Sequence, residues 1–170
     1  MESVTSAEPA AAHTGGRLAF RMRETMAGEH RFVDGAGPPG SHPLSFTLDW
    51  GPERLAAYLN PLDAGFMLNR ALGEIDVGGL VRAAPCSGEL ELRYLRDASI
   101  VYRLDFAGPD GSAYRYQGCK SDIRPWNLHR THTTCRGTIE RLSDGRIISE
   151  STVYFDLHTL PAFLASFRLG

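Results

Sequence analysis

The sequence predicts an all-β, mainly antiparallel protein: a lipocalin-like closed β-barrel of about eight strands with one or two short helices. In segment after segment beyond residue 17, apolar and polar residues alternate, with the period of two that is typical of strands. Turn sequences such as GPDG and SDGR join consecutive strands as hairpins. Only two short stretches have helical spacing, which disfavours a parallel βαβ architecture. Closure removes exposed edges, and an open sandwich is the alternative.

Length and composition limit the class of protein. The chain has 170 residues, 42% hydrophobic and 22% charged, which indicates a disordered leader over 1–16 and a single β-barrel domain over 17–170. A net charge of -2 with scattered basic residues predicts no nucleic-acid partner. No apolar run approaches the roughly 20 residues that span a bilayer, so we expect no membrane insertion. The absence of signal-peptide features and an odd cysteine count favour a cytoplasmic protein with reduced thiols.

The elements follow in order along the chain. LAFRMRETM and LSFTLDW alternate as strands, and GPERLAAYL after them has the spacing of a short helix. A third strand is predicted to carry Ile75, Val77, Gly79 and Val81 on one face. Five further segments alternate in the same way and are predicted to be strands: SGELELRYL, SIVYRLDF, SAYRYQGCK, THTTCRGTIERL and RIISESTVYFD. The chain then closes with LHTLPAFLASFRL, a short apolar helix or a packing tail.

Two motifs suggest cofactors, and neither has the necessary context. GAGPPG at 35–40 matches a dinucleotide fingerprint, but two of its residues are prolines without N–H groups and a strand follows it. In NLHRTHTTC, His129 and His132 would point to opposite faces of a strand, so they would not converge with Cys135 on one ion. We therefore predict neither a cofactor nor a metal.

The inward faces of the predicted strands are apolar and aromatic, with a few polar groups. If Ile139 faces the core, strand alternation places His129 inward, and the same reasoning places Glu24 and Lys120 inward. Buried charges normally pair with an opposite charge or perform a function. Glu24 and Lys120 therefore form an internal ion pair, lie at a barrel rim that water reaches, or act as acid and base. The candidate catalytic residues are Glu24, Lys120 and His129. The candidate ligand-binding residues are Phe20, Met22, Trp50, Tyr94, Tyr102, Tyr114, Tyr116, Thr131, Thr133 and Ser151.

The order and spacing of several motifs resemble a known family. The motifs are FRMRETMAG, LSFTLDW with ERLAAYLNP, LGEIDVGGL, SGELELRYL and VYRLDFAGPDGSAYRYQGCK. Together they resemble the small lipocalin-like β-barrel domain that occurs alone or attached to flavin-dependent oxidoreductases of the glucose–methanol–choline type, including cholesterol-oxidase-like proteins. Gly118 and Lys120 match the G-x-K of that family. Aligned on its threonines, the family's D-L-W-x-D-T-T-T-L has His129 in place of its tryptophan here. A shifted alignment pairs the tryptophan with Trp126 instead. The resemblance implies a lipid- or steroid-like ligand and supplies no catalytic residues.

Two functions of different classes are compatible with these residues. The first is a cofactor-free isomerase or cyclase that holds a polyketide-, terpenoid- or steroid-like substrate inside the barrel and uses acid/base groups. The second is a non-catalytic lipophile-binding or accessory domain that works with a flavin-dependent oxidoreductase. A purely structural protein would require a fully packed interior. A homodimer is compatible with the sequence.

Overall fold

A computed structural model describes residues 18–123, 134–156, 158 and 160–169. The predicted leader, residues 1–16, lies outside this range. Nine strands and two short helices are present in the described ranges, and none of the helices there is long and apolar enough to cross a membrane. The strands are β1 (Phe20–Phe32), β2 (His42–Gly51), β3 (Leu68–Val77), β4 (Val81–Arg93), β5 (Ser99–Ala107), β6 (Ala113–Lys120), β7 (Thr134–Arg141), β8 (Arg146–Phe155) and β9 (Arg168–Leu169); the helices are α1 (Leu55–Leu59) and α2 (Leu160–Ala165).

Strands β1 to β8 form a closed antiparallel barrel. Each strand pairs with the next along the chain, and β1 pairs with both β2 and β8, which closes the sheet. The two-residue strand β9 pairs with the start of β1 outside this ring. The predicted closed barrel of eight strands with two short helices is therefore confirmed.

The two ends of the barrel differ in structure. At the hairpin end, four connections join consecutive strands: residues 33–41 between β1 and β2, 78–80 between β3 and β4, 108–112 between β5 and β6, and 142–145 between β7 and β8. At the helical end lie α1, in the connection between β2 and β3, the turn at 94–98, and α2 with β9 after β8. GPDG and SDGR both form turns, where Gly111 and Gly145 adopt positive φ angles of 80° and 67° that glycine accommodates without strain.

Two local predictions were wrong, each for an identifiable reason. Residues 75–81 are not one strand: β3 ends at Val77, and a tight turn with Gly79 at φ 80° leads into β4. Strict alternation in RIISESTVYFD predicts Ile147 on the inward face with Ser149 and Val153. A register shift between Ile139 and Glu140 reverses the alternation, and Ile147 is half exposed.

The short helix expected in GPERLAAYL is present as α1, in which Ala57 faces the barrel and Leu55 and Leu59 face outward.

Aromatic side chains fill the middle of the barrel. Tyr116 and Phe46 are completely buried with their ring centroids 5.3 Å apart. The Tyr116 ring lies over Gly118 and Gly137, which pair across β6 and β7. A Cβ atom on Gly118 would lie 2.6 Å from the Tyr116 hydroxyl and 2.7 Å from Cys135 Sγ. These glycines therefore provide the space that Tyr116 occupies.

Replacing Gly118 with valine should destabilise the barrel, because an inward side chain at this position overlaps Tyr116. We expect Gly118→Val to lower the free energy of unfolding by about 1–3 kcal/mol. The control is Gln117→Val, on the exposed face of the same strand, which should change it by no more than about 0.5 kcal/mol. Urea denaturation measures both, and equal effects would show that Gly118 does not face the packed interior.

Candidate functional site

A carboxylate, an ammonium and a phenol meet inside the barrel, near the helical end. Glu24 projects from β1, and Lys120 is the last residue of β6. Lys120 Nζ donates a hydrogen bond to Glu24 Oε1 at 2.8 Å. The Tyr102 hydroxyl, from β5, lies 3.2 and 3.1 Å from the two carboxylate oxygens and donates to them. All three side chains are buried. We refer to Glu24, Lys120 and Tyr102 as the polar cluster.

The polar cluster is electrostatically self-contained. Burial, together with the negative charge of Glu24, raises the pKa of Tyr102 well above its ordinary value, so the phenol keeps its proton and serves as a donor. The ammonium of Lys120 lies 5.2 Å from the centre of the Tyr102 ring and 5.9 Å from that of Phe155. Ring faces attract a cation at these distances. Lys120 is thus stabilised by one carboxylate and two aromatic rings.

A layer of aromatic side chains separates the polar cluster from the helical end. Phe163 of α2 packs edge-on against Phe155, with ring centroids 5.5 Å apart, and lies 6.4 Å from the Trp50 ring. Phe20 lies 6.5 Å from Trp50 and 5.7 Å from Tyr58 of α1. Helix α2 is therefore a cover of the barrel interior at this end.

The indole of Trp50 is a buried donor with no acceptor. Its Nε1 has no hydrogen-bond partner among the described residues, although the side chain is only 8% exposed. A buried N–H without an acceptor costs about 1–3 kcal/mol. Such a group calls for an explanation, and one explanation is a ligand that supplies the acceptor.

The structure separates the other predicted site residues into groups. Phe20 and Met22 are half-buried near the helical end, beside Trp50. Tyr116 and Ser151 are buried deeper in the barrel. Tyr114 is distant from the polar cluster and stacks on Phe106 towards the hairpin end. Tyr94 lies beyond the end of β4 with 38% exposure, and burial, together with the charges of Tyr58 and Glu24, raises its pKa. The candidates His129, Thr131 and Thr133 lie outside the described residues.

A second buried polar group, absent from the candidates predicted by sequence, lies towards the hairpin end. His30 is 1% exposed, and its Nδ1 lies 2.7 Å from Ser149 Oγ. Its Nε2 lies 2.9 Å from the carbonyl oxygen of Gly78, which can only accept, so Nε2 carries a proton. Burial lowers the pKa of His30. Extending the alternation of β1 from Glu24 by six residues would have placed His30 inward.

The cysteines are not activated. Burial raises the pKa of Cys86 to about 12 and that of Cys135 to about 11, so both remain thiols at neutral pH. Within the described ranges no group of three or more His, Cys, Asp or Glu side chains could hold a metal ion. The acid and base groups of the polar cluster are thus the best-placed reactive groups in the described barrel.

Two concave regions lie on the outside of the barrel. The larger, with a volume of about 1220 Å³, is an open groove over β6, β7, β8 and β1 with side chains such as Arg31, Arg136 and Glu150. The smaller, of about 460 Å³, lies beside α1 between β3 and β4. Small-molecule sites are mainly apolar with few polar groups. The charged groove fits that description less well than the polar cluster and its aromatic cover.

Comparison of the chain with protein-family models, with curated proteins and with solved structures gave no match. The resemblance to the lipocalin-like domain therefore rests on the sequence motifs and stays a prediction. The fold itself is consistent with a lipocalin-like barrel.

Removing either member of the buried Glu24–Lys120 ion pair should destabilise the barrel. Because removing one partner leaves the other charge buried and unpaired, Glu24→Gln or Lys120→Met alone should lower the free energy of unfolding by about 3–5 kcal/mol. The double variant should lose less than the sum of the two single losses. Chemical denaturation of the unmodified protein, the two single variants and the double variant gives the coupling energy between Glu24 and Lys120. Strict additivity would show that the two groups do not interact.

The buried His30 predicts a loss of stability on acidification. Its pKa is lowered in the folded state, so the unfolded chain takes up a proton as the pH falls below the ordinary value of 6.5. The free energy of unfolding should therefore decrease from pH 7.5 towards the lowered pKa. His30→Gln should reduce that slope, whereas the control His158→Gln, at an exposed position after β8, should preserve it. An unchanged slope in His30→Gln would contradict this origin of the pH dependence.

Proposed function

We propose that the helical end of the barrel binds a hydrophobic small molecule, polyketide-, terpenoid- or steroid-like, and acts on it as a cofactor-free acid/base isomerase or cyclase. The observation that supports this proposal is the polar cluster: a carboxylate held between an ammonium and a phenol, under aromatic rings. Apolar walls with a few convergent polar groups are typical of small-molecule sites. General acid–base catalysis requires an acid or a base within hydrogen-bond reach of the proton that is transferred.

The proposed chemistry assigns one role to each member of the polar cluster. Glu24 removes a proton from a carbon next to a substrate carbonyl. Lys120 and Tyr102, both donors to Glu24 in the structure, donate instead to the developing enolate oxygen. Return of the proton from Glu24 to a different carbon yields an isomer, with no net gain or loss of atoms. Alternatively, the enolate carbon attacks a second carbonyl of the same chain and closes a ring. The new carbon–carbon bond replaces the π bond of that carbonyl, and the resulting alkoxide takes the proton held by Glu24.

The proposal requires access from the helical end. Phe163 occupies the space above Phe155 and Trp50, so a ligand would take its place as α2 moves outward. Within the described part of the chain, few polar contacts attach helix α2 and β9 to the barrel. Strand β9 pairs with two residues of β1, and Ser166 Oγ accepts a hydrogen bond from the backbone N–H of Arg23 at 2.8 Å. A polar group of the ligand could then accept from Trp50 Nε1.

The alternative is a non-catalytic lipophile-binding or accessory domain that works with a flavin-dependent oxidoreductase. One observation favours it: the members of the polar cluster satisfy one another, so the cluster can hold the barrel together without performing chemistry. Under this alternative, binding depends on the aromatic cover and there is no turnover.

The two functions differ in what Glu24→Gln does. We first test ligand binding by native mass spectrometry of the purified protein and by thermal shift with sterols, terpenoids and polyketide-like compounds. If the protein is an isomerase or cyclase, a compound that raises the melting temperature is converted, and Glu24→Gln lowers the rate by about 10²-fold or more while the compound still binds. Phe163→Ala should alter affinity under both functions.

Glu29→Gln is the matched control, because this exposed glutamate lies on the outer face of the same strand. It should affect neither binding nor turnover. Binding without conversion of any compound would support the accessory role. Failure of all these compounds to bind, together with a purified protein that carries no lipophile, would contradict both functions.

A further inference from the structure

Exposed apolar side chains are concentrated at the helical end. Of the eleven large hydrophobic side chains that are exposed among the described residues, three lie elsewhere: Leu142, Ile147 and Tyr154. The other eight belong to α1 and the residues after it, to the turn that follows β4, and to the segment of α2 and β9. We call them the apolar rim: Leu55, Leu59, Leu62, Tyr94, Leu95, Leu164, Phe167 and Leu169.

The three segments of the apolar rim flank one opening. Phe20 contacts Tyr58 of α1 on one side and Phe167 on the other, with ring centroids 5.7 Å away in both cases. The backbone N–H of Leu92, near the end of β4, donates to the carbonyl of Met67, which follows the α1 segment. The rim therefore surrounds the aromatic cover of the barrel.

The exposure of these side chains is not an incidental feature of short loops. Leu62 is 95% exposed, Leu95 80% and Leu169 80%. In α1 the small residue Ala57 faces the barrel while Leu55 and Leu59 face outward, the reverse of an ordinary amphipathic surface helix. A contiguous exposed apolar patch normally marks an interaction surface.

The charges beside the apolar rim indicate what it contacts. Among the acidic side chains of these segments, Glu53 pairs with Arg70, and Asp97 pairs with Arg93 and the hydroxyl of Ser99. Asp63 accepts a hydrogen bond from the backbone N–H of Gly65. The basic side chains that alternate with the leucines have no carboxylate partner in the part of the chain that the structure describes. These are Arg21, Arg54, Arg96 and Arg168, the last of which donates only to backbone carbonyls.

We propose that the apolar rim and its four arginines dock the helical end of the barrel onto an anionic lipid surface. The leucines would enter the boundary between head groups and acyl chains, and the guanidinium groups would meet lipid phosphates and carboxylates. The protein would lie on the bilayer without spanning it. The net charge of -2 hides this local basic character, because the fold collects arginines that are far apart in the sequence. The proposal concerns the outside of the barrel and holds whether or not the interior is catalytic.

Vesicle flotation with the full-length protein tests this proposal. We expect binding to vesicles of phosphatidylcholine mixed with phosphatidylserine, weaker binding to phosphatidylcholine alone, and loss of the difference at high salt. Leu62→Asp/Leu95→Asp should lower the partition coefficient at least about tenfold. Arg54→Ala/Arg96→Ala should lower it by about 25-fold on the anionic vesicles only, since each basic side chain contributes about fivefold there.

Ile147→Asp is the control, because Ile147 is also an exposed apolar side chain, at 50%, but lies near the hairpin end. It should bind vesicles as well as the unmodified protein does. Failure to bind both the anionic vesicles and the phosphatidylcholine vesicles would overturn the proposal. So would a dimer, detected by analytical ultracentrifugation, that Leu62→Asp/Leu95→Asp dissociates, because the apolar rim would then be covered by a second copy of the chain. Equal loss of binding in Ile147→Asp would also contradict it.

Discussion

The contact of Glu24 with Lys120 and Tyr102 ties together strands that are far apart in the sequence and on opposite sides of the barrel. β1 and β5 lie four strands apart in a ring of eight, so a side chain from one reaches the other only across the interior. A hydrophobic core tolerates many arrangements, whereas a buried charge tolerates only those that give it a partner. A shift of β6 by one residue would expose Lys120 and leave Glu24 buried without its cation. The polar cluster therefore selects one register for the whole closed sheet.

The interior is otherwise divided between two different ends. Towards the hairpin end, His30 and Ser149 hydrogen-bond to each other and to the backbone, and Tyr114 stacks on Phe106. At the helical end, the described residues include the charged pair, the Trp50 N–H without an acceptor among them, and the short helix α2 as a cover. Polar groups that are satisfied by the backbone stabilise a fold. The charged pair and the Trp50 N–H at the helical end are the groups on which the proposed ligand site rests.

Much of this arrangement could be predicted from alternation alone, because inward and outward positions follow directly from a period of two. The inward placement of Glu24 and Lys120 follows in this way, whereas alternation left their pairing as one of three alternatives. The errors occurred where local geometry interrupts the period: the turn at Gly79 and the register shift beside Glu140. The outward leucines of α1 could not be predicted, since spacing shows that a helix has an apolar face but not what that face contacts. The partners of Trp50 and His30 likewise depend on contacts between distant segments.

Helix α2 connects the interior of the barrel with the surface around its opening. Within six residues it turns Phe163 inward onto Phe155 and Trp50, and Leu164 outward into solvent. The adjoining Phe167 joins it to Phe20 at the start of β1. A surface that attracts the outward side chains therefore acts on the same short segment that covers the polar cluster. If the apolar rim contacts lipid, the apolar surroundings that stabilise Leu164 also lower the cost of withdrawing Phe163 from the barrel, because the ring need not enter water. An apolar ligand could then pass between bilayer and barrel without crossing the aqueous phase.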